Sequence, residues 1–229
     1  MTKSTGHDTL AIVFGARTQL GQTLLRILSN AIHDTVVIAR DLDDAAWLAS
    51  NWPIARIVQA DDAARHWPQG YRSIVVYGCA VGLIHPQRPD WAKDLAAANR
   101  DIDLHREILM TYAGTPTHVL LVSSVLALSP RGTAYYGGWK NVVEGALQSL
   151  VSETADARLS VLYSGRLTER RQINRPISLL SSSFAQIAGE IVRVALGPVA
   201  TRRVLGIDAY LWLLLRGLPS WLFTLNRTR

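Results

Sequence analysis

One cysteine in 229 residues, Cys79, rules out an intrachain disulfide and leaves no thiolate set for a metal centre. The six His are scattered without ligand spacing, so no metal is expected. There is no internal repeat and no low-complexity linker, which argues against a solenoid or a string of modules. Residues 1–9 are polar and lack the apolar stretch of a signal peptide, so a short disordered tail and a cytoplasmic chain are expected. Acid is scarce in one region. Residues 166–229 hold 3 Asp and Glu against 10 Lys and Arg, whereas residues 1–165 hold 15 against 14, so the net charge of +6 originates in the last quarter. That stretch has no recognition motif and no interleaved stacking aromatics, and nucleic acid is not an expected partner.

What is present suits one well-filled core. At 48% hydrophobic and 229 residues, a single α/β domain is expected, spanning 10–204 between the tail and a C-terminal segment at 205–229. Leu10-Ala-Ile-Val-Phe14 breaks into Gly15-Ala-Arg-Thr-Gln-Leu-Gly21, and a helical pattern with Leu24, Leu25, Ile27 and Leu28 follows. This is strand, tight turn, helix. Gly15 permits the turn, Gly21 permits close helix–strand packing, and the free amides at the helix start suit a pyrophosphate. Gly15, Arg17, Thr18, Gln19, Leu20 and Gly21 are therefore candidate cofactor contacts, although Thr18 stands where a middle glycine is usual.

The second strand, Thr35–Ala39, ends in Arg40. A residue there meets the adenosine ribose, and an Arg accommodates the 2′-phosphate of NADP where an acid binds the 2′-hydroxyl of NAD. Arg40 points to NADP, Asp41 reverses the preference if the register slips by one, and Arg17 is either a second phosphate partner or a solvated loop residue. Further strand-like runs at Ile54–Val58, Ile74–Tyr77, Thr117–Ser123 and Leu159–Tyr163 alternate with amphipathic segments. Such alternation predicts a doubly wound parallel sheet, Rossmann-like, with ligands at the carboxyl ends of its strands.

Tyr136-Gly-Gly-Trp-Lys140 follows the fifth of these runs, which ends in Ser123-Ser124. Positions i and i+4 share a helix face, so the Lys140 ammonium is expected beside the Tyr136 phenol, lowering its pKa towards neutral. With the glycine turn, these residues resemble the short-chain dehydrogenase/reductase family over about residues 10–200. The resemblance implies a nicotinamide-dependent oxidoreductase in which Tyr136 is the general acid/base, Ser124 orients the substrate oxygen and Lys140 binds the nicotinamide ribose. It implies that Asn99 supports a water in the proton relay and that Asp61 contacts adenine. Ser124 and Ser123 lie twelve and thirteen residues before Tyr136, both near the family's interval, so Ser123 stays open as the alternative.

The chain also departs from that pattern. The family's polar motif after the fourth strand reads Tyr77-Gly-Cys-Ala80, which keeps small residues such as Gly78 beside the cofactor but loses the polar ones. The motif after the sixth strand reads Ser164-Gly165, with Thr168 a candidate for the nicotinamide carboxamide. Arg166, Arg170, Arg171 and Arg175 fall in the loop that closes over the substrate in that family, which suits a phosphorylated or lipid-borne small molecule. The stretch from Ala209 to Leu225 is apolar but interrupted by Arg216, Gly217 and Pro219, short of the ~20 residues of a spanning helix. It suits packing on the domain, contact within a homo-oligomer, or peripheral attachment at the inner membrane face. The expected function is NADP(H)-dependent interconversion of a carbonyl and a secondary alcohol, with a lipid-linked or phosphorylated sugar as one candidate substrate; the alternatives are a non-catalytic NADP-sensing or assembly subunit and a sugar-nucleotide epimerase or dehydratase.

Overall fold

The computed structural model describes residues 8–30, 34–53, 55–62, 65–81, 90–128, 135–165, 167–168 and 181–215. The elements are β1 (Thr9–Phe14), α1 (Gln19–Asn30), β2 (Asp34–Ala39), α2 (Leu42–Asn51), β3 (Arg56–Gln59), β4 (Ser73–Gly78), α3 (Trp91–Thr111), β5 (Thr117–Ser124), α4 (Tyr135–Ser152), β6 (Ala157–Ser164), β7 (Leu167–Thr168), β8 (Ser182–Ser183), α5 (Phe184–Ala195) and β9 (Arg202–Leu205). A 3-10 turn at Val125–Leu128 follows β5, and residues 207–215 are helical.

Seven strands pair in the order β3-β2-β1-β4-β5-β6-β9, every pair parallel, and β7 with β8 forms a separate two-stranded ladder. Parallel strands need crossover connections, and the helices in those connections cover both faces, which is why the central strands read as unbroken apolar runs. Alternation along each strand sorts the side chains between two cores. Leu10, Ile12 and Phe14 of β1 and Val119 and Leu121 of β5 pack with α3 and α4. Ala11, Val13, Leu120 and Val122 pack with α1 and α5.

The helices carry matching stripes and starts. In α1 the buried set is Leu20, Gly21, Leu24, Leu25 and Leu28, the i, i+4, i+8 face of a helix lying on the sheet. Asp41 caps α2 by accepting from the Asp44 amide at 2.8 Å, and Ser183 and Gln186 form a capping box at the start of α5. The strand order turns outward in both directions from β1 and β4, so their following loops part and leave a crevice at the sheet's carboxyl edge.

The expected strands form with small shifts. Thr9 already belongs to β1, one residue inside the stretch assigned to the tail, and β3 starts at Arg56 with Ile54 outside the described residues. β9 is not among the expected runs: Arg202 and Arg203 make half of its four residues and both are exposed, as suits a charged edge strand. Among the described residues no helix is long and apolar enough to cross a membrane.

Candidate active site

The glycine turn after β1 is held by its own residues. Gly15 has φ +70, and a Cβ there would lie 2.6 Å from the Ala80 Cβ; a Cβ on Gly21 would lie 2.2 Å from the Gly15 carbonyl oxygen. Both positions therefore exclude a side chain. Thr18 does the work of the absent middle glycine differently, its hydroxyl donating to Gly15 O at 2.7 Å and accepting from the Gly21 amide at 3.1 Å. A cavity of about 260 Å³ opens on this turn, lined by Phe14, Gly15, Arg17, Thr18, Arg40, Asp44 and Ala80, among others.

Arg17 and Arg40 converge there on one acid. Arg17 donates to Asp44 Oδ1 at 2.7 Å and Arg40 Nε to Oδ2 at 2.8 Å, with the carboxylate 5% exposed and the two Arg side chains 46% and 43% exposed. Burial pushes the Asp44 carboxyl up, but the hydrogen bonds from Arg40 and Arg17 outweigh it and hold it below the usual range. Arg17 also lies over the Trp47 ring, 5.7 Å from its centroid. Each guanidinium spends only part of its N–H donors on the shared carboxylate and stays about half exposed at the mouth of the cavity, a fit for a phosphate. Asp41 is committed to its helix cap.

A second cavity, of about 320 Å³, shares Thr18 and Ala80 with the first and is lined by Gln19, Leu20, Ser123, Tyr136, Lys140 and Ser164, among others. Helix spacing accounts for Tyr136 and Lys140 sharing it, while the preceding Tyr135 is turned to α3, where it donates to Asp94 Oδ2 at 2.9 Å. Lys140 is 6% exposed, donates to Val81 O at 3.3 Å and sits 5.7 Å from the Tyr136 ring centroid. Burial pulls its ammonium down to about 8, against support from the charge of Asp101. The expectation for Tyr136 is corrected here: desolvation of the buried phenol raises its pKa.

The serine pair divides by pleat. Ser123 lines the cavity, and its buried hydroxyl has no hydrogen-bond partner among the described residues. Ser124 points its hydroxyl at the 3-10 turn and accepts from the Leu126 amide at 3.3 Å. Gly78 ends β4, buried, beside the Cys79 and Ala80 that line the same space.

Other expected residues stand elsewhere. Asn99 is exposed on α3, because the inward stripe runs through Asp94, Ala98, Asp101 and His105 at i, i+4, i+7 and i+11; the relay role implied for it has no access to the cavity. Asp101 is the described α3 side chain that lines the nucleotide cavity, 8% exposed, and sequence reasoning missed it because only packing on the sheet turns it inward. His105 anchors this part of α3, stacking on Phe14 at 4.2 Å and donating from Nδ1 to Asp101 O at 2.7 Å. Asp61 pairs with Arg100 at 3.4 Å and is not among the cavity residues. Gly165 is crowded by Asp208, whose Oδ2 lies 2.2 Å from where a Cβ would stand. Thr168 belongs to β7. Arg166, Arg170, Arg171 and Arg175 lie outside the described residues.

Together the glycine turn, the diarginine mouth and the orphaned Ser123 hydroxyl form a donor set that fits a phosphorylated dinucleotide. Comparison with solved structures agrees with the architecture. The chain is similar to a short-chain type dehydrogenase/reductase from Mycobacterium ulcerans, at 15% identity and TM-score 0.66, covering 90% of this chain and 91% of that one. It is similar to a serine dehydrogenase complexed with NADP+, at 14% identity and TM-score 0.63, covering 86% and 94%. It is also similar to a 4-hydroxyisoleucine dehydrogenase complexed with NADH, at 10% identity and TM-score 0.65, covering 88% and 98%. No protein-family model and no curated protein matches the sequence. The fold is that of short-chain dehydrogenase/reductase structures.

Proposed function

We propose that the chain is an NADP(H)-dependent oxidoreductase interconverting a carbonyl and a secondary alcohol. The observation that carries this reading is that Ser123, Tyr136 and Lys140 line one cavity that meets the nucleotide turn at Thr18 and Ala80. A bound nicotinamide would supply or accept the hydride. Ser123, with its hydroxyl desolvated and otherwise unbonded, donates to the substrate oxygen and stabilises the charge that develops there. Tyr136 gives or takes the proton on that oxygen. Lys140 holds its ammonium beside the phenol and lowers the cost of the ionised form once a ligand displaces water, and Asp101 keeps that ammonium charged against its burial.

At the other end Arg17 and Arg40 receive the 2′-phosphate. Their tether on Asp44 removes side-chain freedom before binding, which favours NADP over NAD. The similar structures include complexes with both NADP+ and NADH, so this preference rests on the two Arg. The Arg surplus after residue 166 supports a lipid-linked or phosphorylated sugar as the substrate.

Calorimetric titration with NADPH and NADH, followed by a panel of carbonyl substrates monitored by NADPH absorbance, tests the reading. Tighter binding of NADPH with turnover on the panel is expected; binding of neither cofactor overturns it. A second reading, a non-catalytic NADP-sensing subunit, is favoured by the upward shift of the Tyr136 phenol and the loss of polar residues at 77–80. Tight NADPH binding without turnover on any substrate would select it.

A further inference from the structure

Among the described residues, the hydroxyls that line the reaction cavity belong to Thr18, Ser123, Tyr136 and Ser164, and where each sends its hydrogen decides what it can offer a ligand. A Ser or Thr hydroxyl has one hydrogen to donate and lone pairs with which to accept. Thr18 is spent, its hydrogen on Gly15 O and a lone pair on the Gly21 amide. Ser123 has no hydrogen-bond partner among the described residues and keeps its hydrogen for the substrate oxygen. Ser164 is in neither state. It ends β6, 7% exposed, and donates to Ser123 O at 3.1 Å. A carbonyl oxygen can only accept, so the direction of that bond is fixed and Ser164 Oγ has only lone pairs left for a ligand.

The carboxyl ends of β5 and β6 thus bring two unlike groups to one cavity, a donor on Ser123 and an acceptor on Ser164. A buried acceptor calls for an N–H or O–H, because leaving it unmet costs its desolvation. Resting on the cofactor reading above, the chemistry narrows the choice: the one N–H group on a nicotinamide ring is its carboxamide. We propose that Ser164 is a specificity-determining residue that reads the nicotinamide, its Oγ accepting from the carboxamide N–H. The carboxamide lies to one side of the ring's N1–C4 axis, so turning the ring over about that axis moves the amide to the opposite side while C4 stays in place. An acceptor on one side therefore also selects which face of C4 meets the substrate.

Calorimetry on the full chain compares NADP+ with its 3-acetylpyridine analogue, in which a methyl replaces the amide NH2 and the carbonyl is kept. The unaltered chain should bind NADP+ ~10-fold more tightly than the analogue, the order expected for one lost hydrogen bond with its buried acceptor left unmet. Ser164→Ala should erase the difference, weakening NADP+ and leaving the analogue nearly unchanged. Equal binding of the two dinucleotides by the unaltered chain overturns the proposal and needs no variant to fold. So does a difference that persists in Ser164→Ala: a hydroxyl that only ties β6 to β5 would weaken both dinucleotides alike. Binding of neither dinucleotide overturns the cofactor reading as well, whereas tight and equal binding overturns the role of Ser164 alone.

Discussion

At the nucleotide end of the cleft two half-exposed guanidiniums share the buried Asp44 carboxylate, whereas at the reaction end the Lys140 ammonium is buried against a backbone carbonyl and the Tyr136 ring. The first arrangement pairs its charges before any ligand arrives, so its donors are held in place for recognition. The second leaves desolvation largely uncompensated, so Lys140 is pulled down to about 8 and Tyr136 is pushed up. Shifted values of opposite sign on neighbouring groups suit proton transfer, and paired charges suit holding a phosphate. Both ends meet at Thr18 of the glycine turn and Ala80 beyond β4, which lets one fold run recognition and chemistry side by side.

The largest effect expected to separate the two ends is that of Tyr136→Phe. Turnover should fall by ~10²–10⁴-fold with NADPH affinity nearly intact, as read from kcat and from calorimetry on the same preparation. Activity retained in that variant would remove the reaction end from the comparison. Next come the serines. Ser123→Ala should lower kcat by ~10²–10³-fold, the cost of one lost donor at a developing oxyanion, while Ser124→Ala acts mainly on thermal stability through its cap of the 3-10 turn. The reverse order of effects would restore Ser124 as the active residue.

Arg40→Ala probes the other end. NADPH binding should weaken by about 1.5–3 kcal/mol, the range for a hydrogen bond to a charged group, and NADH binding should hardly change. Equal losses for both cofactors would show that the guanidinium does not read the 2′-phosphate. The smallest expected effect is on pH. The lowered value of Lys140 means that its charged form is lost as pH rises through about 8, so kcat/KM should fall on that limb earlier than an ordinary Lys would allow. Asp101→Asn should move the limb to lower pH, because the charge that supports the ammonium is gone. Asp44, held below the usual carboxyl range, keeps its pairs above that range and loses them only as pH falls through the depressed value, so this end should contribute no limb near neutrality.

Alternating apolar runs, the Gly15–Gly21 turn and the Tyr136–Lys140 interval were legible along the chain because each depends on local geometry: a strand's period of two, a helix's i to i+4, a turn that excludes a Cβ. β9 escaped because Arg202 and Arg203 sit on an edge where the sheet needs no apolar partner on the outer side. Choices between neighbouring residues were not legible. Ser123 and Ser124 differ by one step of a pleat, Asn99 and Asp101 by two steps of a helix, and in each pair only packing on the sheet settles which side chain faces the cavity. The sequence by itself determined the sheet-and-helix order, the nucleotide turn and the chemical character of the candidate site. The tertiary structure alone decided the ionisation of that site and the joining of Arg17 and Arg40, because desolvation and a shared carboxylate depend on distances through space between residues far apart in the chain.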